Sequence, residues 1–305
     1  MITATKATMI HYNNCPVCKS DDIRPKLTAT DHTVSKKAFD IWYCANCTAM
    51  FTQDVPAQEE IGAYYASEDY ISHSDTRKGF VNNLYHKVRK RTLRSKKKLV
   101  TGTTGLQKGS LLDIGCGTGA FLHTMQEAGW TVTGLEPDAI ARSKAAELYN
   151  IQPLDPQQLF NLPPASFNAI TMWHVLEHVH ELHAYMDQLS TLLAPGGKLF
   201  IAVPNYTAAD AKHYGADWAA YDVPRHLYHF SPQSMGSLLE AHGLQLAGCK
   251  PMWFDSFYVS MLSEQYRNGS NNIIKAGWYG FVSNLKAIGN AKHCSSVIYI
   301  AAGNQ

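Results

Sequence analysis

Three groups of residues carry chemistry-bearing types at informative spacings. The first runs from Ser110 to Leu122, S-L-L-D-I-G-C-G-T-G-A-F-L. Leu111, Leu112 and Ile114 form a short apolar run that reads as a buried strand, and the stretch from Ala120 to Ala128 reads as a helix. Gly115, Gly117 and Gly119 lie between them, where they permit a tight turn and the approach of a ligand without Cβ clash. The helix start behind them offers free N–H groups. The second group is a pair of knuckles, Cys15-Pro-Val-Cys18 and Cys44-Ala-Asn-Cys47, with 25 residues between them. The third gathers histidines and acids in His174-Val-Leu-Glu177-His178 and in Asp222-Val-Pro-Arg225-His226.

Each group implies a chemistry. The glycine turn is a nucleotide-type cradle at the carboxyl end of a strand. Its G-x-G-x-G spacing differs from the dinucleotide fingerprint, and no Lys-Ser/Thr follows as in a phosphate loop. A second strand-like run, Thr131 to Leu135, ends in Glu136-Pro137-Asp138. An acid about 20 residues beyond the glycines can accept hydrogen bonds from ribose hydroxyls. Asp138 can cap the next helix. Four thiolates in two close pairs suit tetrahedral zinc, and with no open position the metal would be structural. A redox-active C-x-x-C is the lesser reading, because nothing around the pairs has a thioredoxin-like pattern. Histidine has a pKa suited to proton removal, so His178 and His226 are the candidate bases.

Four blocks together, L-D-I-G-C-G-T-G, G-L-E-P-D, F-N-A-I-T-M-W-H-V-L-E-H-V and L-L-A-P-G-G-K-L-F-I-A-V-P-N, resemble the class I S-adenosylmethionine-dependent methyltransferases in that family's order. The resemblance implies an α/β, Rossmann-like, seven-stranded and mostly parallel sheet in the order 3-2-1-4-5-7-6, with S-adenosylmethionine over the glycine loop. Carried over residue by residue, Asp113, Gly115, Cys116, Gly117 and Gly119 line the methionine half of the cofactor. Glu136, with Pro137, holds the ribose. Asp155 is the candidate for the adenine amino group, and His174 borders adenine or methionine.

These residues need elements to place them. Residues 1–55 read as a zinc-ribbon-like module, and 56–108 as a linker or a cap over the cofactor pocket, tyrosine-rich at Tyr64, Tyr65 and Tyr70, followed by a basic helix capping the core. On that helix Val81, Leu84, Tyr85 and Val88 recur at helical spacing. Its other face, Lys87 to Lys98, is a solvated surface or a phosphate-backbone footprint. Residues 109–305 form the catalytic domain, with insertions at 205–230 and 251–293. The first insertion reads as a lid, in which Tyr221, Arg225 and His229 are candidate substrate contacts. In the second, Trp253, Phe257 and Met261 share a helical face, for which core packing is favoured over a substrate wall or membrane contact.

Composition sets the class. The chain has 305 residues, is 45% hydrophobic and 17% charged, and carries a net charge of +2. That allows a sizeable core and gives no global signal for nucleic acid. There is no long apolar run, and the expected setting is cytoplasmic, where seven cysteines suggest metal or free thiols over disulfides. The expected activity is methyl transfer to a hydroxyl, amine or carbon acid of a small molecule, without stable membrane insertion. An RNA methyltransferase using the ribbon and basic helix is the alternative, and a non-catalytic cofactor-binding or interaction protein the second. The sequence does not give an oligomeric state.

Overall fold

The computed structural model describes residues 8–65, 80–269 and 272–303, and the backbone alone for 80–87. Tyr70, and the side chains of Val81, Leu84, Tyr85 and Lys87, lie outside the described residues.

The N-terminal part is all β: β1 (Met9–Ile10), β2 (Ile23–Thr30), β3 (Ala38–Cys44), β4 (Met50–Thr52) and β5 (Val55–Pro56). A long helix, α1 (Phe80–Thr104), leads into an alternating segment. That segment is β6 (Ser110–Ile114), α2 (Ala120–Glu127), β7 (Thr131–Leu135), α3 (Ala139–Tyr149), β8 (Phe167–Trp173), α4 (Leu182–Leu192) and β9 (Leu193–Pro204). The first insertion holds α5 (Ala209–Tyr214) and β10 (Tyr228–His229). Then come α6 (Pro232–Ala241), β11 (Leu244–Pro251), α7 (Asp255–Asn268), α8 (Ile273–Ala287) and β12 (Ser296–Gly303).

The main sheet has six strands in the order β11-β12-β9-β8-β6-β7. Strands β7, β6, β8 and β9 run parallel, and β12 is antiparallel to both β9 and β11. The expected third strand is reduced to one bridge, Leu135 to Leu154. Pro153 and Pro156 bracket it, and proline has no N–H with which to extend a ladder. Local signals read from the sequence are realised at two helix starts. The Asp138 carboxylate accepts from the Ile140 amide, and Ser231 with Ser234 forms a reciprocal cap ahead of Pro232.

Strands β4, β3 and β2 make an antiparallel sheet, and β10 from the first insertion adds its fourth strand, pairing Tyr228 with Phe51 and His229 with Met50. The module is therefore not a separate bead. One buried cluster runs from Cys15, Val17 and Phe51 to Leu112, Ile170 and Leu199 of the main sheet. Another joins Phe39, Ile41 and Met50 of the module to Tyr214, Trp218 and Tyr221 of the insertion. The opposite face of the sheet is covered by α1 and α2 through Val100, Phe121 and Leu122.

Candidate functional site

The glycine turn follows β6. The amides of Gly115 and Cys116 both donate to Leu135 O, at 2.7 and 3.1 Å, which ties the turn to the tip of β7. Gly115 has φ +68°, and a Cβ there would meet Val175 Cγ2 at 2.5 Å, so only glycine fits. Gly117 has φ +54°, and nothing lies within 4 Å of the place its Cβ would take, which leaves the cradle open at that point. The Glu136 carboxylate reaches back over the turn. Its Oε2 accepts from the Gly117 amide at 2.7 Å and its Oε1 from the Asp138 amide at 3.0 Å. Burial raises the pKa of Glu136. The Arg142 guanidinium donates to the carbonyls of Glu136 and Pro137 and lies 3.8 Å from Asp155, which itself caps Gln157. Cys116 turns its thiol away from the cradle and under Gly134. Gly119 packs against Ala145 at the start of α2.

The His174 turn lies beside this cradle, since Val175 is the residue that crowds Gly115. His174 sits in the left-handed region at φ 59°, with its amide donating to Ala202 O. Its Nε2 is 2.8 Å from Asp255 and its Nδ1 3.4 Å from Glu177. Burial alone would lower its pKa, but the two carboxylates outweigh burial and hold it at about 10, so this imidazole is protonated. Asp113, 2% exposed, accepts from Thr171 Oγ1 at 2.6 Å, and burial pushes its pKa up to about 7. Lys96 reaches the same place from α1, with its ammonium 4.2 Å from the Trp173 ring centroid. Burial brings it down to about 8 against the pull of Asp113 and Asp255.

Around this corner the two candidate bases meet edge to face, with the ring centroids of His178 and His226 4.5 Å apart. His178 Nδ1 is 3.0 Å from both Arg225 O and Tyr65 Oη. His226 Nδ1 is 2.8 Å from Ala220 O. A backbone carbonyl at Nδ1 of each ring selects the Nδ1–H tautomer and leaves Nε2 as the acceptor. Burial first, then the neighbouring His226 ring, lowers His178 to about 4. The Glu177 carboxylate lies beside the pair, 1% exposed, and neither oxygen has a hydrogen-bond partner among the described residues. Although burial opposes ionisation, His174 and His226 keep Glu177 below its ordinary pKa. Donor atoms of Glu177, His178 and His226 lie within 4.8 Å of one another, a set that could hold a divalent cation.

The other lid residues do different work. Arg225 is buried, and its guanidinium is taken up by Asp222 (3.0 Å through Nε, 2.5 Å through Nη2), by Asp31 (3.2 Å) and by Tyr64 O (2.9 Å). The expected substrate arginine instead clamps the lid to the N-terminal module. Tyr221 is buried edge-on against Trp218 and His229. The His229 Nε2 contacts Thr52 Oγ1 at 3.1 Å, and burial keeps that ring neutral. Arg225 is held by Asp31, Asp222 and Tyr64, while Tyr221 and His229 pack between the lid and the module.

Cys15, Cys18, Cys44 and Cys47 converge, with Sγ–Sγ distances of 3.6 Å (Cys15 to Cys47) and 3.5 Å (Cys18 to Cys44). A tetrahedron with Zn–S bonds of about 2.3 Å has edges of about 3.8 Å, so the donor set is compatible with zinc. The two knuckles are built alike. Lys19 (φ 65°) and Thr48 (φ 63°) turn left-handed, and their amides return to Cys15 O and Cys44 O.

Residues 84–247, more than half of the chain, match the methyltransferase domain family. The chain belongs to that family. The Xanthomonas euvesicatoria pv. vesicatoria ubiquinone biosynthesis O-methyltransferase is 29% identical over 160 residues, which is 48% of this chain and 66% of that protein. The chain thus spans just under two thirds of that relative. The Aeromonas salmonicida enzyme of the same name is 28% identical over 183 residues, 55% of this chain and 74% of its own length. Among solved structures, magnesium protoporphyrin IX methyltransferase from Synechocystis PCC 6803 superposes with a TM-score of 0.51 at 16% identity, covering 79% of this chain and 97% of its own. Geranyl diphosphate C-methyltransferase from Streptomyces coelicolor A3(2) gives 0.51 at 14%, covering 76% and 88%. At these identities the two structures show the methyltransferase fold.

Sequence reasoning missed Lys96, Asp255, Asp31 and Tyr65. Tyr65 stood in the tyrosine-rich stretch, and Lys96 left a signal of its own. It lies eight residues after Val88 and four before the buried Val100, on the apolar line of α1 and not on its solvated face.

Proposed function

We propose that the protein transfers a methyl group from S-adenosylmethionine to the hydroxyl of a small molecule. The carrying observation is the junction of two parts. The open glycine cradle with the Glu136 carboxylate abuts, through Gly115 and Val175, the half-buried His178 and its buried partner His226. The O-methyltransferase relatives support the same reading.

In this reading Asp113, Gly115, Cys116, Gly117 and Gly119 form the floor of the cofactor site, and Glu136, exchanging its bond to the Gly117 amide, takes the ribose hydroxyls. Pro137, Asp155 and His174 border the remainder. S-adenosylmethionine supplies an already electrophilic methyl, so the chain's residues have two tasks, alignment and proton removal. The free Nε2 of the histidine pair accepts the acceptor's proton, and the neighbouring Glu177 carboxylate stabilises the resulting imidazolium. The Asp31–Arg225–Asp222 clamp holds the lid shut over this corner. A Zn2+ ion on Cys15, Cys18, Cys44 and Cys47 would fix the module to which the lid is clamped, a structural role.

The test uses purified protein, labelled S-adenosylmethionine and a fractionated small-molecule extract. His178→Asn and His226→Asn are expected to lower turnover by about 10²- to 10⁴-fold while cofactor affinity, read by calorimetry, stays within about twofold. Full turnover in both variants would remove the histidine pair from the chemistry.

A further inference from the structure

Helix α8 is turned inside out for a globular protein. Its small residues Ala276, Gly280, Ser283 and Ala287 face the molecule, and a Gly280 Cβ would meet Phe257 of α7 at 2.8 Å. Its large apolar residues face solvent. Ile274 is 86% exposed, Trp278 61%, Phe281 47% and Leu285 47%, and Ile288 just beyond the helix is 67% exposed. They recur at i, i+4, i+7, i+11 and i+14, one continuous stripe. Trp253 and Phe257, both exposed, extend the stripe sideways, since Trp253 O accepts from Asn284 of α8. A surface patch of this extent calls for a partner.

Charge decides which partner. From Gln265 to the last residue the sequence contains no Asp or Glu, while Lys275, Lys286 and Lys292 are exposed on or beside the stripe. The two acids of α7 are turned inward, Asp255 to His174 and Glu264 to Tyr214. A second copy packed on the same stripe would bring lysine against lysine, with no acid to answer it. An anionic lipid surface answers both features, because it takes the aromatic stripe into the acyl boundary and attracts the lysines. Among the described residues no helix is long and apolar enough to cross a membrane, so the contact is an interfacial one.

We propose that the α7–α8 face docks the protein on an anionic bilayer surface. This rests on the helix face alone and is independent of the methyl-transfer reading. The α7 segment also carries Asp255, the partner of His174, so the docked face belongs to an element of the candidate site itself.

The experiment is co-sedimentation of the full chain with vesicles of phosphatidylcholine alone and of phosphatidylcholine mixed with phosphatidylglycerol. The protein is expected to pellet with the mixed vesicles and to be released by salt. Trp278→Glu/Phe281→Glu should weaken partitioning by about a hundredfold. Lys275→Ala/Lys286→Ala should weaken it by about thirtyfold. All four positions are exposed, and unchanged melting of the variants shows that each fold is intact. Three results would overturn the proposal. One is protein that stays in solution with both vesicles. Another is vesicle binding that neither variant changes. The third is a dimer in light scattering that Trp278→Glu dissociates, without vesicle binding, which would give the stripe to a second copy.

Discussion

The clamp between module and lid makes a quantitative prediction. The Asp31 side chain is fully buried, and it serves two sets of partners. Inside its own turn it accepts from the Thr33 and Val34 amides, Thr33 Oγ1, the Ser35 amide and Ser35 Oγ, at 2.6–3.1 Å. Across to the lid it takes Arg225 Nη2. Asp31→Asn removes the charge and replaces one acceptor oxygen with a donor that faces N–H or O–H groups. Breaking a buried pair costs about 3–5 kcal/mol, against about 0–1 kcal/mol for an exposed one. Arg225 keeps Asp222, but the turn loses bonds of its own, so the full range applies. At about 2 °C per kcal/mol for a chain of this size, melting should fall by about 6–10 °C near neutral pH. The effect must depend on pH. Burial alone would raise the Asp31 pKa, yet the Ser35 and Val34 bonds and the Arg225 charge hold it well below the ordinary carboxylate value. Its stabilisation is therefore present above the unfolded pKa of about 4 and is lost as pH falls through the folded value. The gap between wild type and Asp31→Asn should be full at neutral pH and should close below about pH 4. Melting monitored by circular dichroism across this range is the assay. A shift under about 1 °C, or a gap that does not narrow in acid, would refute the clamp.

Four further outcomes follow from the same geometry. Glu136→Gln should weaken S-adenosylmethionine by about 10- to 100-fold in calorimetry, the worth of a hydrogen bond to a charged group, and leave melting near that of wild type. With a folded pKa of about 4, His178 should show no ring titration by NMR between about pH 5 and 8, using His178→Asn to assign the signal. Its unfolded form takes up a proton near pH 6.5, so stability should fall between about pH 6.5 and 4, and the variant should flatten that slope. His174, held at about 10, behaves oppositely: its contribution is complete below about pH 6.5 and disappears as pH rises through about 10, so His174→Asn should lose its deficit in alkali. Removing metal with a strong chelator should lower melting and speed amide exchange at Thr52, whose amide donates to Leu227 O and so joins module to lid. Unchanged exchange there would separate the cysteine cluster from the lid.

Legibility in the sequence followed locality. The glycine turn, Glu136, the caps at Asp138 and Ser231 and the two cysteine knuckles are short-range patterns, and each stands where its spacing placed it. Six strands stand in the relative order that the resemblance implies, and flanking prolines leave the third as one bridge. What the sequence hid is long-range. Asp31 meets Arg225 across 194 positions, so the lid arginine looked like a substrate ligand until its partners were visible. Lys96 was counted with a solvated face because charge type outweighed its place on the apolar line. Trp253 stands in the turn before α7, so the helical face implied by its spacing begins only at Phe257, and periodicity does not fix which way a face points. Here Trp253 and Phe257 point outward, while Met261 is half-buried.

The most direct test of the central claim incubates the protein with methyl-labelled S-adenosylmethionine and cell extract split into small molecules, RNA and protein. The account predicts label in the small-molecule fraction, lost in Glu136→Gln and strongly reduced in His226→Asn. Label that enters RNA and is removed by RNase would contradict it, and would make the ribbon and α1 the recognition surface. Cofactor binding with no labelled product in any fraction would contradict it as well.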